Sequence, residues 1–103
     1  MDEKNATPGK EAALKALRDE FKGNAADTQR QRLAAALHRL TTITTIEARR
    51  YLDILHPAGR AMELRAAGLD IVTLRQKQDT EAGVPHWVGL YVLRRGADAG
   101  STP

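Results

Sequence analysis

The chain has 103 residues, 42% hydrophobic and 28% charged, the composition of one small globular domain whose flanks are too short for a second core. It has no cysteine, which excludes disulfides, thiolate metal sites and a cysteine nucleophile, and no apolar run approaches the roughly 20 residues of a bilayer span. The formal charge of +3 is uneven: residues 1–27 hold five Lys/Arg against six Asp/Glu, whereas residues 28–103 hold eleven against seven, ten of those eleven being arginine.

The opening MDEKNATPGK carries acids and no apolar segment. Neither a secretory signal nor an acid-poor transit peptide is therefore expected, and a cytoplasmic location is. Residues 1–10 read as a disordered lead closed by Pro8-Gly9. Over 11–22, Leu14, Leu17 and Phe21 recur at i, i+3 and i+7 and predict a short amphipathic helix, stopped by Gly23-Asn24. A helix this short is marginal in water, so its stripe must dock on its own domain, the preferred reading, or on a second copy.

A second helix is predicted from Gln29 to Leu40, with Thr28 and Gln31 as a capping box and Leu33, Ala36, Leu37 and Leu40 at helical spacing. The β-branched run Thr41-Thr42-Ile43-Thr44 favours an extended connector. Thr44 with Glu47 makes another capping box and opens a third helix over 45–52, with Ile46, Ala48 and Leu52 inward. Asp53 tolerates the left-handed geometry of a turn. His56-Pro57 then opens a fourth helix over 57–67, with Gly68 at its C′ position. Two helices joined by about four residues form a helix-turn-helix.

Beyond Gly68 the stretches 69–76 and 86–93 are rich in Ile, Val, Leu, Trp and Tyr around a polar tip, KQDTEAGVP, and predict a hairpin. Its second strand is apolar on both faces, Trp87, Tyr91 and Leu93 alternating with Val88, Leu90 and Val92. A two-stranded sheet resting only on helices would leave one of those faces wet. The expected cover is the Leu14, Leu17, Phe21 stripe or a second copy, and a strand edge near Tyr91 could pair across a two-fold axis. Residues 94–103 read as a flexible tail. The expected architecture is mainly α with a β-hairpin wing, an α+β fold. Its three-helix core and wing span 28–93, preceded by an additional amphipathic helix and linker over 11–27.

Over 28–93 the chain resembles the small winged helix-turn-helix domains found in many phage and prophage proteins. The matching residues are Leu37 and Leu40 ending a helix, the Ile43-Thr44 connector, Glu47-Ala48 opening the next helix, and Arg60-Ala61-Met62-Glu63-Leu64-Arg65 followed by Ala66-Ala67-Gly68. The Ile71-Val72-Thr73 strand and a closing Tyr91-Val92-Leu93 complete the set. The family often shows glycine where Asp53 stands and a bulkier aliphatic where Ala61 stands, so slightly different turn geometry and helix packing are expected there. By fold analogy the resemblance implies DNA binding.

Taking Pro57, Ala61, Leu64 and Gly68 as the buried line of the fourth helix, rotation turns Gly59, Met62, Glu63 and Ala66 outward, with Arg60 and Arg65 on the shoulders. Only Glu63 is centrally placed for reading a base edge, so sequence specificity is expected to be modest. Gly59 and Ala66 permit close approach, and Arg60 and Arg65 reach phosphates or flanking bases. Alternatively, Arg60 or Arg65 pairs with Glu63, Glu47 or Asp70 and pins the helix. Thr28, Thr44 and Thr45 mark helix starts suited to phosphate, supplemented by Arg30, Arg49 and Arg50, although each threonine also serves as a plain cap. Arg75 and Lys77 approach the wing tip, where Asp79 and Glu81 oppose them. Trp87 reads as core packing rather than as a recognition residue.

His38, His56 and His86 lie far apart with no carboxylate or second histidine three or four residues on, so no metal or other cofactor is expected. A Gly-rich phosphate loop, a nucleophile elbow and a pair of acids in apolar surroundings are all missing, so neither an enzyme nor a small-molecule substrate is expected. Two functions remain open. One is a DNA-binding regulator or accessory factor of phage or mobile-element origin, placing the 57–67 helix in the major groove of double-stranded DNA with arginine phosphate contacts. The other is a protein-interaction adaptor on the same scaffold, favoured by Met62 and the two-faced strand. A homodimer through the first helix or the hairpin is compatible with either.

Overall fold

The computed structural model describes residues 8–80 and 82–94. Its elements are α1 Pro8–Glu20, α2 Ala26–Leu40, β1 Thr42–Thr44, α3 Thr45–Tyr51, α4 Pro57–Ala66, β2 Ile71–Asp79 and β3 Pro85–Leu93. Residues 1–7 of the expected lead, residues 95–103 of the expected tail and Glu81 lie outside the described residues.

The local signals around the helix-turn-helix act as their chemistry requires. The Thr44 hydroxyl accepts from the Glu47 amide at 3.0 Å while the Glu47 carboxylate accepts from the Thr44 amide at 3.0 Å, completing the capping box of α3. Lys10 Nζ lies 3.1 Å from the same carboxylate and ties the start of α1 to it. Asp53 adopts φ 57°, the left-handed conformation expected of it in the turn. Pro57 opens α4, and Gly68 at φ 112° closes it, with Leu69 N donating to Leu64 O and Gly68 N to Arg65 O, both at 3.0 Å.

Two helix starts differ from the sequence reading. α2 begins at Ala26 with Ala25 as N-cap and no side-chain cap, so Thr28 lies inside the first turn and the Thr28–Gln31 capping box does not form. Gln31 Nε2 donates instead to Asp27 Oδ2 at 3.2 Å, and Gln29 Nε2 to the Asn24 carbonyl at 2.8 Å. An alanine and an acid in the first turn suit a helix start as well as a hydroxyl cap does, which is why the helix extends past Thr28. α1 likewise starts at Pro8 rather than Glu11 and ends at Glu20 rather than Lys22.

The Thr41–Thr44 connector contributes β1, making a three-stranded antiparallel sheet in the order β1-β3-β2. Ile43 pairs with Tyr91 on one side of β3 while Thr73 pairs with Tyr91 on the other. Tyr91 therefore sits in the central strand and offers no edge for a two-fold partner; the edges of the sheet belong to β1 and β2. The core joins Leu14 and Leu17 of α1 to Leu33 and Leu37 of α2, Ala48 and Leu52 of α3, Ala61 and Leu64 of α4, and Ile71, Tyr91 and Leu93 of the sheet. The α1 stripe thus docks within the chain, against α2 and α3, instead of covering the outer sheet face, where Val72, Val88, Leu90 and Val92 are half-buried. Arg94 closes the last strand by donating from Nε and Nη2 to both Asp70 oxygens at 3.1 and 3.0 Å.

One arginine belongs to the interior. Arg32 is 2% exposed. Its Nε and Nη2 donate to Phe21 O at 3.1 and 2.6 Å, Nη2 also to Gly23 O at 2.6 Å, and Nη1 to Leu52 O at 2.7 Å. Desolvation lowers its pKa, the Asp53 charge raises it, and Arg18 lowers it further. A guanidinium stays protonated in such a site, so a full cation bolts the α1–α2 loop to the end of α3. Among the described residues no helix is long and apolar enough to cross a membrane.

Candidate nucleic-acid interface

α4 follows its predicted rotation along most of its length: Pro57, Ala61 and Leu64 are buried, and Met62 is 63% exposed with Ala66 beside it. Gly68, placed on the buried line by spacing, is exposed, because the left-handed residue beyond the helix end leaves the helical rotation. Gly59 is half-buried, as is Glu63, whose carboxylate is fully engaged. Glu63 Oε1 accepts from Arg30 Nη1 at 3.1 Å and Oε2 from Arg60 Nη2 at 3.0 Å. Arg30 also lies 3.5 Å from Asp27 Oδ1. Arg60 is therefore pinned to α4 itself, and Arg30 of α2 joins it around one acid. Arg60 Nε is buried without a hydrogen-bond partner among the described residues.

Arg65, on the other shoulder, turns to the sheet. Its Nε donates to Ile71 O at 2.6 Å and its Nη2 to Thr73 Oγ1. Thr73 shares a face of β2 with Arg75 and Lys77, since alternate residues of a strand point the same way at about 6.7 Å intervals. The register sets Arg75 opposite Gly89 and Lys77 opposite Trp87. Arg65, Arg75 and Lys77 thus form a basic line from the end of α4 along the wing, and the strand positions between them on that face carry no acid.

Trp87 lies on this line and is 58% exposed, which corrects its reading as core packing. On its face the core ends at Tyr91, and the hairpin carries β3 four residues farther out to Trp87. Lys77 Nζ stands 5.5 Å and Arg75 Cζ 5.8 Å from the indole centroid, within cation–π range.

Residues 28–96 match the family described as Winged helix-turn-helix domain. The chain belongs to that family. Comparison with curated proteins finds no match. In this winged helix-turn-helix domain β2 and β3 are the wing, and α1 precedes the matched region while supplying Leu14 and Leu17 to its core. Ala61 is fully buried.

The threonines nominated from the sequence face inward. Thr44 is 4% exposed with its hydroxyl committed to the cap, and Thr45 is half-buried with Oγ1 3.4 Å from both Gly89 O and the Tyr91 hydroxyl. Gly89 permits that approach, since a Cβ there would stand 3.1 Å from Thr45 Oγ1. Thr28 is half-buried in the first turn of α2. Arg49 and Arg50 of α3 are exposed, Arg49 Nε donating to Leu55 O at 3.1 Å and Arg50 resting 5.7 Å from the Tyr51 ring. Together with Ile46 and Thr80 they line an open cleft of about 300 Å³. His, Cys, Asp and Glu side chains among the described residues form no group able to hold a metal ion.

The structure therefore brings Arg65, Arg75, Lys77 and the unforeseen Trp87 onto one face, gathers Arg30, Arg60 and Glu63 into a second cluster, and sets Arg49 and Arg50 beside the cleft. The signal for Trp87 lay in the hairpin register, because pairing it with Lys77 puts an aromatic beside a cation on the wing rather than beneath the helices.

Proposed function

We propose that this chain binds double-stranded DNA through α4 in the major groove and the basic wing face along the neighbouring backbone. It serves as a non-enzymatic regulator or accessory factor of phage or mobile-element origin, acting in the cytoplasm. Membership of a winged helix-turn-helix family supports the partner. The observation that carries the contact surface is the line Arg65, Arg75 and Lys77, which continues from α4 onto the wing as far as Asp79.

The division of labour follows from the geometry. Phosphate contacts by Arg65, Arg75 and Lys77, with Arg49 and Arg50 on the flanking strand, position the domain and dominate affinity. Met62 and Ala66 present apolar surface suited to thymine methyl groups, and Gly59 lets the backbone of α4 approach the groove floor. Glu63, held by Arg30 and Arg60, works as the centre of a charge cluster that Asp27 completes, instead of accepting from cytosine. The threonines position α2 and α3 from within. Sequence preference is accordingly shallow.

The test is fluorescence-anisotropy binding of a labelled random-sequence duplex over a salt series. Five neutralised phosphates give a slope of log affinity on log salt of about −4.5, and Arg75→Ala or Lys77→Ala each reduces its magnitude by about one. Absence of binding at low salt overturns the proposal and moves the function to a protein partner seated on the exposed Met62 face.

A further inference from the structure

A lone exposed apolar residue means little by itself, but a tryptophan left largely in water beside two cations forms a surface suited to a contact. Trp87 is that residue, and its surroundings narrow the partner. Arg75 and Lys77 sit two positions apart on the same strand face beside the indole, like charges in a mutually repulsive arrangement. Asp79, the next residue on that strand face, leaves the set Arg75, Lys77 and Asp79 with a net positive charge. An anionic ligand with a flat π-face answers both features at once: its charge relieves the two cations, and its ring covers the indole.

Nucleic acid supplies that combination, but a closed duplex does not present it. Inside a duplex each base has both faces covered by its neighbours, and the grooves expose only base edges. An indole meets a base face only where the base is unpaired or lies at a strand end, and such stacking tolerates any base. The wing leaves room for it: β1 pairs with β3 only from Leu90 to Val92, so no strand flanks Trp87 on the side away from β2.

We propose that Trp87, flanked by Arg75 and Lys77, is a stacking site for an unpaired nucleobase, so that the protein prefers duplex DNA bearing a single-stranded extension over a blunt duplex. This rests on the DNA-binding reading and specifies the form of DNA it takes. α4 and the near end of the basic wing face hold the duplex, and the far end of that same face, at Trp87, captures the first unpaired nucleotide by its base and phosphate together.

The experiment uses three probes on the full chain: a blunt duplex, the same duplex with a short thymidine overhang, and the same duplex with an abasic overhang of equal length and charge. Because Trp87 is the sole tryptophan, its emission reports stacking directly alongside anisotropy. The thymidine overhang is expected to bind about tenfold more tightly than the abasic one and to quench Trp87 emission, which the abasic probe leaves unchanged. Trp87→Leu erases that difference, and Trp87→Phe retains part of it. Equal affinity for thymidine and abasic overhangs, with blunt-duplex binding intact, overturns the stacking site and leaves the DNA-binding reading standing. Failure to bind any of the three overturns both. The comparison of overhangs on the unsubstituted chain decides the matter without reliance on any variant's folding.

Discussion

Replacing Arg32 with methionine tests whether a buried cation holds the helix-turn-helix in place. The substitution keeps a long flexible stem and removes four hydrogen bonds to three carbonyls: Phe21, Gly23 and Leu52. The Leu52 carbonyl contact is fully buried, so its loss leaves an acceptor without a donor, at about 1–3 kcal/mol. The Phe21 and Gly23 contacts are partly buried and can rehydrate, which limits their loss to about 1 kcal/mol each. Relief of the desolvation of the guanidinium and the apolar burial of methionine offset part of this. A net destabilisation of about 3 kcal/mol lowers Tm by about 12–24 °C in a domain of this size. Circular dichroism melting with parallel urea titration measures it. Arg39→Ala is the control: Arg39 donates only to Glu20 at the surface and raises no comparable demand, so its melting curve should overlay the parent's. A shift for Arg32→Met of less than about 5 °C would refute the reasoning and make the buried guanidinium incidental.

Glu63→Gln frees Arg60 and leaves Arg30 with Asp27 alone; duplex affinity at low salt should rise several-fold and the salt slope steepen by about one, whereas weaker binding would assign Glu63 a direct base contact. Asp53→Val should lose about 1–2 kcal/mol because a β-branched residue is strained at φ 57°, while Asp53→Gly should unfold at nearly the parent's urea midpoint; equal loss in both would place the cost in the side chain. Leu17→Asp buries a charge in the core and should populate unfolded chain at every concentration in sedimentation and circular dichroism. A folded monomer would show that the stripe had served a dimer instead.

Much of the fold was legible because its decisive signals are local. The Thr44–Glu47 box, the left-handed Asp53 and the Gly68 terminus each depend on residues within four positions, and each formed. The start of α2 was misread for the complementary reason: Thr28 and Gln31 satisfy a capping pattern, but the pattern cannot report that Ala26 and Asp27 already continue the helix. Three residues of β1 are too few for strand periodicity to register, and its pairing with β3 spans almost fifty positions. Arg32 is one arginine among the ten of residues 28–103, and nothing near it in sequence reveals carbonyl partners nine to twenty residues away. For the interface, helical rotation located Met62 and Ala66 but could not assign the partners of Arg60 and Arg65, since one choice is settled by α2 and the other by β2.

The open edge of β2 has a consequence for the protein's own colloidal behaviour. A nine-residue strand with unpaired amides and carbonyls is a template on which other chains can lengthen the sheet. Arg75 and Lys77 stand along that edge, and their mutual repulsion between copies keeps neighbouring chains from zipping together. The same two cations therefore serve two selective demands, and stripping both to disable binding also removes the guard on the strand. A doubly substituted chain should turn cloudy at concentrations the parent tolerates, so loss of function in that variant has to be measured dilute and early.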